Sequence, residues 1–230
     1  MNAISFLIKP SSSLCNMDCR YCFYKDVVDH REIPSYNIMQ EDTMLALIKQ
    51  ALSSYQDITF AFQGGEPTLA GLSFYRTFIA HVNQYKTNQS IHYAIQTNGL
   101  SINDEWCAFF KENHFLVGIS LDGYKDNHDF LRLDAEGNPT YTKVIQAINR
   151  LKKYGVELNV LIVLTSYLAK HPQKLFQWIL KYQLHYVQFI PCLPPLQGTT
   201  RYALTPKLFA SFYKTFFYDW FEEVQKGNYI

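Results

Sequence analysis

Ile4-Ser5-Phe6-Leu7-Ile8-Lys9-Pro10 runs directly into Ser11-Ser12-Ser13-Leu14-Cys15-Asn16-Met17-Asp18-Cys19-Arg20-Tyr21-Cys22. The first half reads as a short β-strand and the second as a serine-rich loop that gathers three cysteines within eight residues. A strand emptying into a polar motif then recurs along the chain. The apolar run 58–63 is followed by Gly64-Gly65-Glu66-Pro67, the run 91–97 by Asn98-Gly99, and the run 116–121 by Asp122-Gly123. Further strands are expected over 156–164 and 186–191.

Segments of helical period separate these strands. Met44, Ile48, Ala51, Leu52 and Tyr55 share one face of a helix over 41–55. Another helix is expected over 71–85, and Asn103 caps the one carrying Trp106 and Phe110. Gly155 ends a helix over 142–154, and Pro172 opens one that runs to 182. Thr205-Pro206 starts a last helix with Phe209, Phe212, Phe216 and Trp220 at helical spacing. Six β-then-α units with right-handed crossovers predict an α/β fold, a parallel sheet curled into a partial (β/α)6 TIM-like barrel. A complete barrel of eight such units takes about 250 residues, so six suit a chain of 230. No linker, repeat or low-complexity segment interrupts the pattern, so residues 1–230 are expected to form a single domain. The strand over 58–63 is apolar on both faces, which predicts burial on both.

Nearly half the residues are hydrophobic, 48%, and 18% are charged, which places the chain among globular proteins. Lys and Arg total 21 against 20 for Asp and Glu, so no global charge directs it to nucleic acid or an anionic membrane. The N-terminus lacks a basic and then apolar leader, and no run approaches the length of a membrane span. A cytoplasmic protein is expected. In a reducing compartment five cysteines do not make a disulfide framework, so the triplet reads as a metal site. Cys107, among Trp106, Phe109 and Phe110, reads as core packing. Cys192 follows a strand, where functional loops also lie.

Thiolates are soft ligands that suit zinc or iron–sulfur clusters. Structural zinc needs a fourth ligand, and His30, the nearest candidate, has no spacing to recommend it. Three cysteines on a [4Fe–4S] cluster leave one iron open to a cofactor. In Gly64-Gly65-Glu66-Pro67 the glycines permit close backbone approach and Glu66 supplies an anion, although such residues also make ordinary turns. The position of all these motifs, at the carboxyl ends of strands, is where parallel α/β sheets bind ligands.

The C-x-x-x-C-x-aromatic-C spacing of Cys15, Cys19 and Cys22 after a first strand resembles the signature of the radical S-adenosylmethionine (SAM) superfamily. The resemblance implies a [4Fe–4S] cluster on those cysteines and SAM chelated to the open iron. Beyond the superfamily, Ile8-Lys9-Pro10-Ser11-Ser12, Cys22-Phe23-Tyr24, the run 61–71, Gln96-Thr97-Asn98-Gly99, the run 115–123 and Gln188-Phe189-Ile190 are similar in order to the anaerobic sulfatase-maturating enzymes. Those enzymes oxidise a Ser or Cys of a sulfatase polypeptide to Cα-formylglycine. The resemblance implies SAM contacts from Tyr21, Gly64, Gly65, Glu66, Ser120, Arg132 and Leu193. Arg132 suits a carboxylate because guanidinium binds it bidentately, and a solvated loop arginine is its plain alternative. Gln63 and Tyr24 would face the peptide. Asp122 is read as fixing the turn before Gly123, and His128 as a structural loop histidine. A reductant such as flavodoxin or ferredoxin is implied as a further partner.

The family also carries two auxiliary clusters and a general base, an Asp, in a region that would lie beyond Ile230. No cysteine follows Cys192, and Asp219, Glu222 and Glu223 read as the solvated face of the last helix. The catalytic base is therefore unassigned, and a shortened, inactive product is one expectation. With it comes an aromatic helix face prone to self-association. Two other readings use the same residues: a maturase of another ribosomal peptide, or a non-catalytic, peptide-binding scaffold that holds zinc or no metal.

Overall fold

A computed structural model describes residues 2–228. In chain order its elements are β1 (Ala3–Ile8), β2 (Met17–Cys19), α1 (Phe23–Asp29), α2 (Glu41–Ser54), β3 (Asp57–Phe62), α3 (Leu72–Tyr85), β4 (Ser90–Thr97) and α4 (Asp104–Glu112). There follow β5 (Phe115–Ser120), α5 (Lys125–Leu131), β6 (Arg132–Asp134), α6 (Tyr141–Lys153), β7 (Glu157–Leu164), α7 (Pro172–Lys181), β8 (Val187–Pro191) and α8 (Pro206–Gln225). Six strands make one sheet in the order β1-β3-β4-β5-β7-β8. Every neighbouring pair in it is parallel, and the sheet curls into a half-barrel. The expected partial barrel is what the chain forms.

Alternation decides which face is covered. Ile58, Phe60 and Phe62 of β3, Phe115, Val117 and Ile119 of β5, and Val160, Ile162 and Leu164 of β7 are buried in one core with the helices. Phe60 and Phe62 each meet Phe78 of α3 edge-on, with ring centroids 5.0 Å apart. The intervening positions are only half-buried in β3 and β7, and Leu7 and Leu116 are exposed. This corrects the expectation of a strand buried on both faces. Half a barrel covers its convex side with helices and leaves its concave side open.

Local chemistry sets the helix ends. Asn103 accepts a hydrogen bond from the Trp106 amide at 3.0 Å, and Thr205 does the same for Leu208, with Pro206 at the first helical position. Gly155 takes φ +65° after α6. Its amide and that of Val156 turn back to the carbonyls of Lys152 and Leu151, closing the helix as a Schellman motif. Among the described residues, no helix is long and apolar enough to cross a membrane.

Candidate three-thiolate metal centre

After β1 the chain turns at Lys9 to Ser12, with Ser12 in the left-handed region at φ +53°. It then crosses the strand ends and pairs with a second, small sheet. Met17, Asp18 and Cys19 of β2 lie antiparallel to Asp134, Leu133 and Arg132 of β6. The Arg20 amide donates to the Leu131 carbonyl at 2.9 Å, and the Cys22 amide donates to Cys19 at 3.1 Å. The second and third thiols therefore sit on one tight turn that opens α1, fixed from outside by a ribbon. Neither this ribbon nor the helices α1 and α5 was expected from the sequence, because three-residue strands and two-turn helices carry too little periodicity.

The three thiols sense one another electrostatically. Burial pushes Cys19 up to about 12, against the opposing pull of the Arg132 guanidinium. Cys15 reaches solvent as a residue, yet protein surrounds its thiol enough to raise it to about 11, with the Glu66 and Cys22 charges adding to desolvation. Among the described residues, no three His, Cys, Asp or Glu side chains gather at single-ion distance. His30 instead turns to Asp26 on its own helix. Three soft thiolate donors carried by one loop are a donor set that suits an iron–sulfur cluster, in which each thiolate takes its own iron. Positive charge from a bound cluster would also draw both raised thiols into the thiolate form.

The Gly-Gly-Glu segment is pressed onto this loop. Gly65 has φ +53°, and a Cβ there would lie 2.3 Å from the Leu14 carbonyl oxygen. The Glu66 amide donates to Leu14 at 2.7 Å, and the Ser11 hydroxyl donates to the Glu66 carbonyl at 2.8 Å. The expectation that Glu66 offers its anion to a ligand is corrected. Its carboxylate is 1% exposed and accepts from the Thr68 amide and hydroxyl, the Thr97 hydroxyl and the Asn98 amide, at 2.6 to 3.0 Å. Burial raises its pKa while these donors hold it down. Glu66 thus ties the end of β3 to the end of β4. Asn98 passes the link on by donating to Asn16, between the first two cysteines, at 2.8 Å.

Arg132 is no solvated loop residue. Its Nε donates to Asp122 Oδ2 at 2.9 Å, and Asp122 is fully buried. Asp122 also accepts from Tyr21 Oη and from the Val163 amide at 2.9 Å. It does more than shape a turn: it gathers Tyr21, Arg132 and β7 around the thiols. Its position directly after β5 was the available signal. His128 lies within α5, not in a loop, and is buried with two partners. The Asp122 amide donates to its Nδ1 at 3.1 Å, and Thr140 stands 3.0 Å from Nε2 while donating onward to Arg132 O. That chain of donors fixes a neutral, Nε2-protonated ring.

Ser120 accepts from Gln96 Nε2 at 3.0 Å on the concave face, where Gly118 leaves room for the Gln96 side chain. Gln63 Nε2 donates to Tyr24 Oη at 3.0 Å, so the two expected peptide-facing groups meet. Leu193 follows β8 and is 67% exposed. Cys192 packs in a small cluster with Leu131 and Tyr202 and, like Cys107, has its thiol raised to about 11 by burial. Both read as structural. Asp219 departs from its expected solvated face: it is half-buried, and its Oδ2 has no hydrogen-bond partner among the described residues. A cavity of about 270 Å³ lies elsewhere, between α7, α8 and the outer face of β8.

Fold and site together define an α/β half-barrel with three thiols on the loop after its first strand and a Gly-Gly-Glu turn pressed onto that loop after its second. The chain belongs to the radical SAM superfamily, whose family model matches residues 10–179. The cofactors of that superfamily are a [4Fe–4S] cluster and SAM. A cysteine-type anaerobic sulfatase-maturating enzyme of Clostridium novyi (strain NT) is 44% identical over 235 residues, covering all of this chain and 63% of that protein. The structure of native anSMEcpe with bound AdoMet is similar at a TM-score of 0.93 and 41% identity, covering 98% of this chain and 63% of that one. The same protein with AdoMet and a Cp18Cys peptide matches equally, at 0.93 and 40%, covering 99% and 62%. The chain thus spans somewhat less than two thirds of the length of these relatives.

Proposed function

We propose that this chain holds one [4Fe–4S] cluster through Cys15, Cys19 and Cys22, with SAM on the iron that lacks a thiolate. We infer further that it is the radical-generating domain, residues 1–230, of an enzyme that oxidises a sulfatase cysteine to Cα-formylglycine. The observation that carries the first reading is the fixation of the three thiols at the strand ends by β2–β6 and by the Gly65-Glu66 backbone. The cysteine target follows the relative of Clostridium novyi. When bound, the cofactors supply one-electron cleavage of SAM and hydrogen-atom abstraction from substrate.

The chain's own residues bind and orient. Gly64 and Gly65 let the Lys9 side chain and the Leu14 backbone close onto the turn before Glu66, which sets the loop that carries the first thiol. Ser120, held by Gln96, offers a hydroxyl on the concave face, and exposed Leu193 offers an apolar surface to a base. Tyr21 and Arg132 are locked by Asp122, so they present a preset wall to SAM rather than mobile side chains. Glu66 acts through the loops it joins. Gln63 and Tyr24 stand at the rim, where a peptide would enter.

Anaerobic reconstitution with iron and sulfide tests the reading. The visible absorbance of an iron–sulfur cluster should develop, and SAM should be cleaved to 5′-deoxyadenosine under dithionite. A C15A/C19A/C22A variant should do neither. A colourless wild-type protein overturns the cluster. Cleavage that proceeds normally, with no binding or oxidation of a sulfatase peptide bearing a C-x-P/A-x-R motif, overturns only the substrate.

A further inference from the structure

Three cations around Phe130, one of them next to Cys19, are not spent on acids. Nearby, Lys25 pairs with Asp18 beside the cysteines and Lys125 with Asp129 on α5. Arg20, Lys170 and Arg201 are exposed and take part in none of the ion pairs among the described residues. All three lie against rings instead. The Arg20 guanidinium sits 4.6 Å from the Phe130 ring centre, and Arg201 sits 5.8 Å from the same ring and 5.2 Å from Tyr202. Lys170 stands 5.7 Å from Tyr167. Phe130, Tyr167 and Tyr202 touch one another with centroids 6.0 to 6.4 Å apart, so cations and rings form one patch. Phe130 and Tyr167 are 39% and 38% exposed.

We propose that this patch, Arg20, Lys170 and Arg201 around Phe130 and Tyr167, is the docking surface for an acidic one-electron reductant protein of the flavodoxin or ferredoxin class. The inference rests on the cluster reading above and adds where its electron enters. Arg20 lies between two of the three cysteines, and its amide is bonded to Leu131, the residue after Phe130. A partner seated on Phe130 is therefore a few covalent and hydrogen bonds from Cys19. One electron leaves the reduced flavin or iron–sulfur centre of the partner and enters the cluster, with no bond made or broken and no proton moved. Redox encounters use small interfaces, so a compact patch is enough. Unpaired cations steer an acidic partner, while arginine and exposed aromatic rings are the residue types that anchor interfaces. Stacking on the rings holds the cations in place, so little side-chain freedom is lost on docking. A charge total of +1 for the chain hides this local excess.

The test uses the full chain and a reduced acidic flavodoxin as probe. Binding is measured by fluorescence anisotropy across a salt series, and SAM cleavage is measured with flavodoxin and separately with dithionite. A K170E/R201E variant should bind flavodoxin ~10-fold more weakly at low salt, with the difference shrinking as salt rises. Its dithionite-driven cleavage should match the wild type. K170Q/R201Q, a milder change, should fall between the two and guards against misfolding in the reversed variant. Equal flavodoxin binding by all three proteins, or binding indifferent to salt, overturns the docking surface. A wild-type protein inert even to dithionite overturns the cluster reading instead, and the binding series still decides the surface.

Discussion

Arg132 lies buried beside two thiols because Asp122 meets it there. Removing one member of a buried pair leaves a charge with neither water nor partner, which costs about 3–5 kcal/mol. Asp122→Asn should therefore lower the unfolding free energy of the apoprotein, read from urea titration, by that amount. Asp122→Asn combined with Arg132→Met should recover much of the loss, since no bare charge remains. A single variant within about 1 kcal/mol of wild type would contradict the role given to Asp122. His128 offers a second measurement. Desolvation lowers its pKa to about 4, against an ordinary value of 6.5. Below 6.5 the unfolded chain takes up a proton that the folded chain refuses, because Nδ1 already accepts from the Asp122 amide. The stability held by the neutral ring is thus complete above pH 6.5 and is lost as pH falls toward 4, by about 3 kcal/mol in all. His128→Gln, which can accept from one neighbour and donate to the other, should flatten the stability profile across that window. A variant whose profile runs parallel to wild type there would refute the assignment.

At the scale of elements, the strand-to-motif order made the site's neighbourhood readable, since each parallel strand delivers its following loop to the same end of the sheet. The helix boundaries were readable for local reasons, the side-chain caps at Asn103 and Thr205 and the glycine at 155. What could not be read was the pairing of β2 with β6, more than a hundred residues apart and three residues long. That pairing buries Arg132, for which a solvated loop position had been the alternative to a SAM contact. Glu66 stood out by its place after a strand, but its direction was not readable: the sequence shows a carboxylate, and only the fold shows Thr68, Thr97 and Asn98 closing around it. Gly65 shows how tightly these elements meet. A methyl group there strains a left-handed residue and collides with the backbone of the cysteine loop, where no side-chain rotation relieves it. Gly65→Ala should fold with near-native circular dichroism yet reconstitute with a small fraction of the wild-type cluster absorbance. Full absorbance in that variant would show that the loop can hold its ligands without this contact.

Across the whole molecule, cover is distributed unevenly along α8. Phe212 is fully buried and, with Phe216, packs edge-on against Phe189 of β8, with centroids 5.2 and 4.9 Å away. Phe209, Phe217, Tyr218 and Phe221, on the remaining surface of the same helix, are 40 to 56% exposed. Phe217 and Phe221 stack in parallel with each other at 5.9 Å and with Trp220 nearby at 5.8 Å, which joins single rings into a continuous apolar strip. A strip of that kind is hydrated unfavourably, and contact with a second molecule removes it from water at about 25 cal/mol for each Å² covered. The two faces of α8 should therefore respond differently to substitution. Phe212→Ala opens a hole in the main core and should cost about 3–5 kcal/mol of stability. Phe217→Ser with Phe221→Ser trims rings that are 52% and 42% exposed and should cost far less, about 1 kcal/mol of unfolding free energy. The same double substitution should shift the protein from concentration-dependent association toward monomer in sedimentation velocity and should weaken the binding of an apolar dye. Parental protein that sediments as a monomer at every concentration, with no dye bound, would mean that the strip is too small or too curved to drive association.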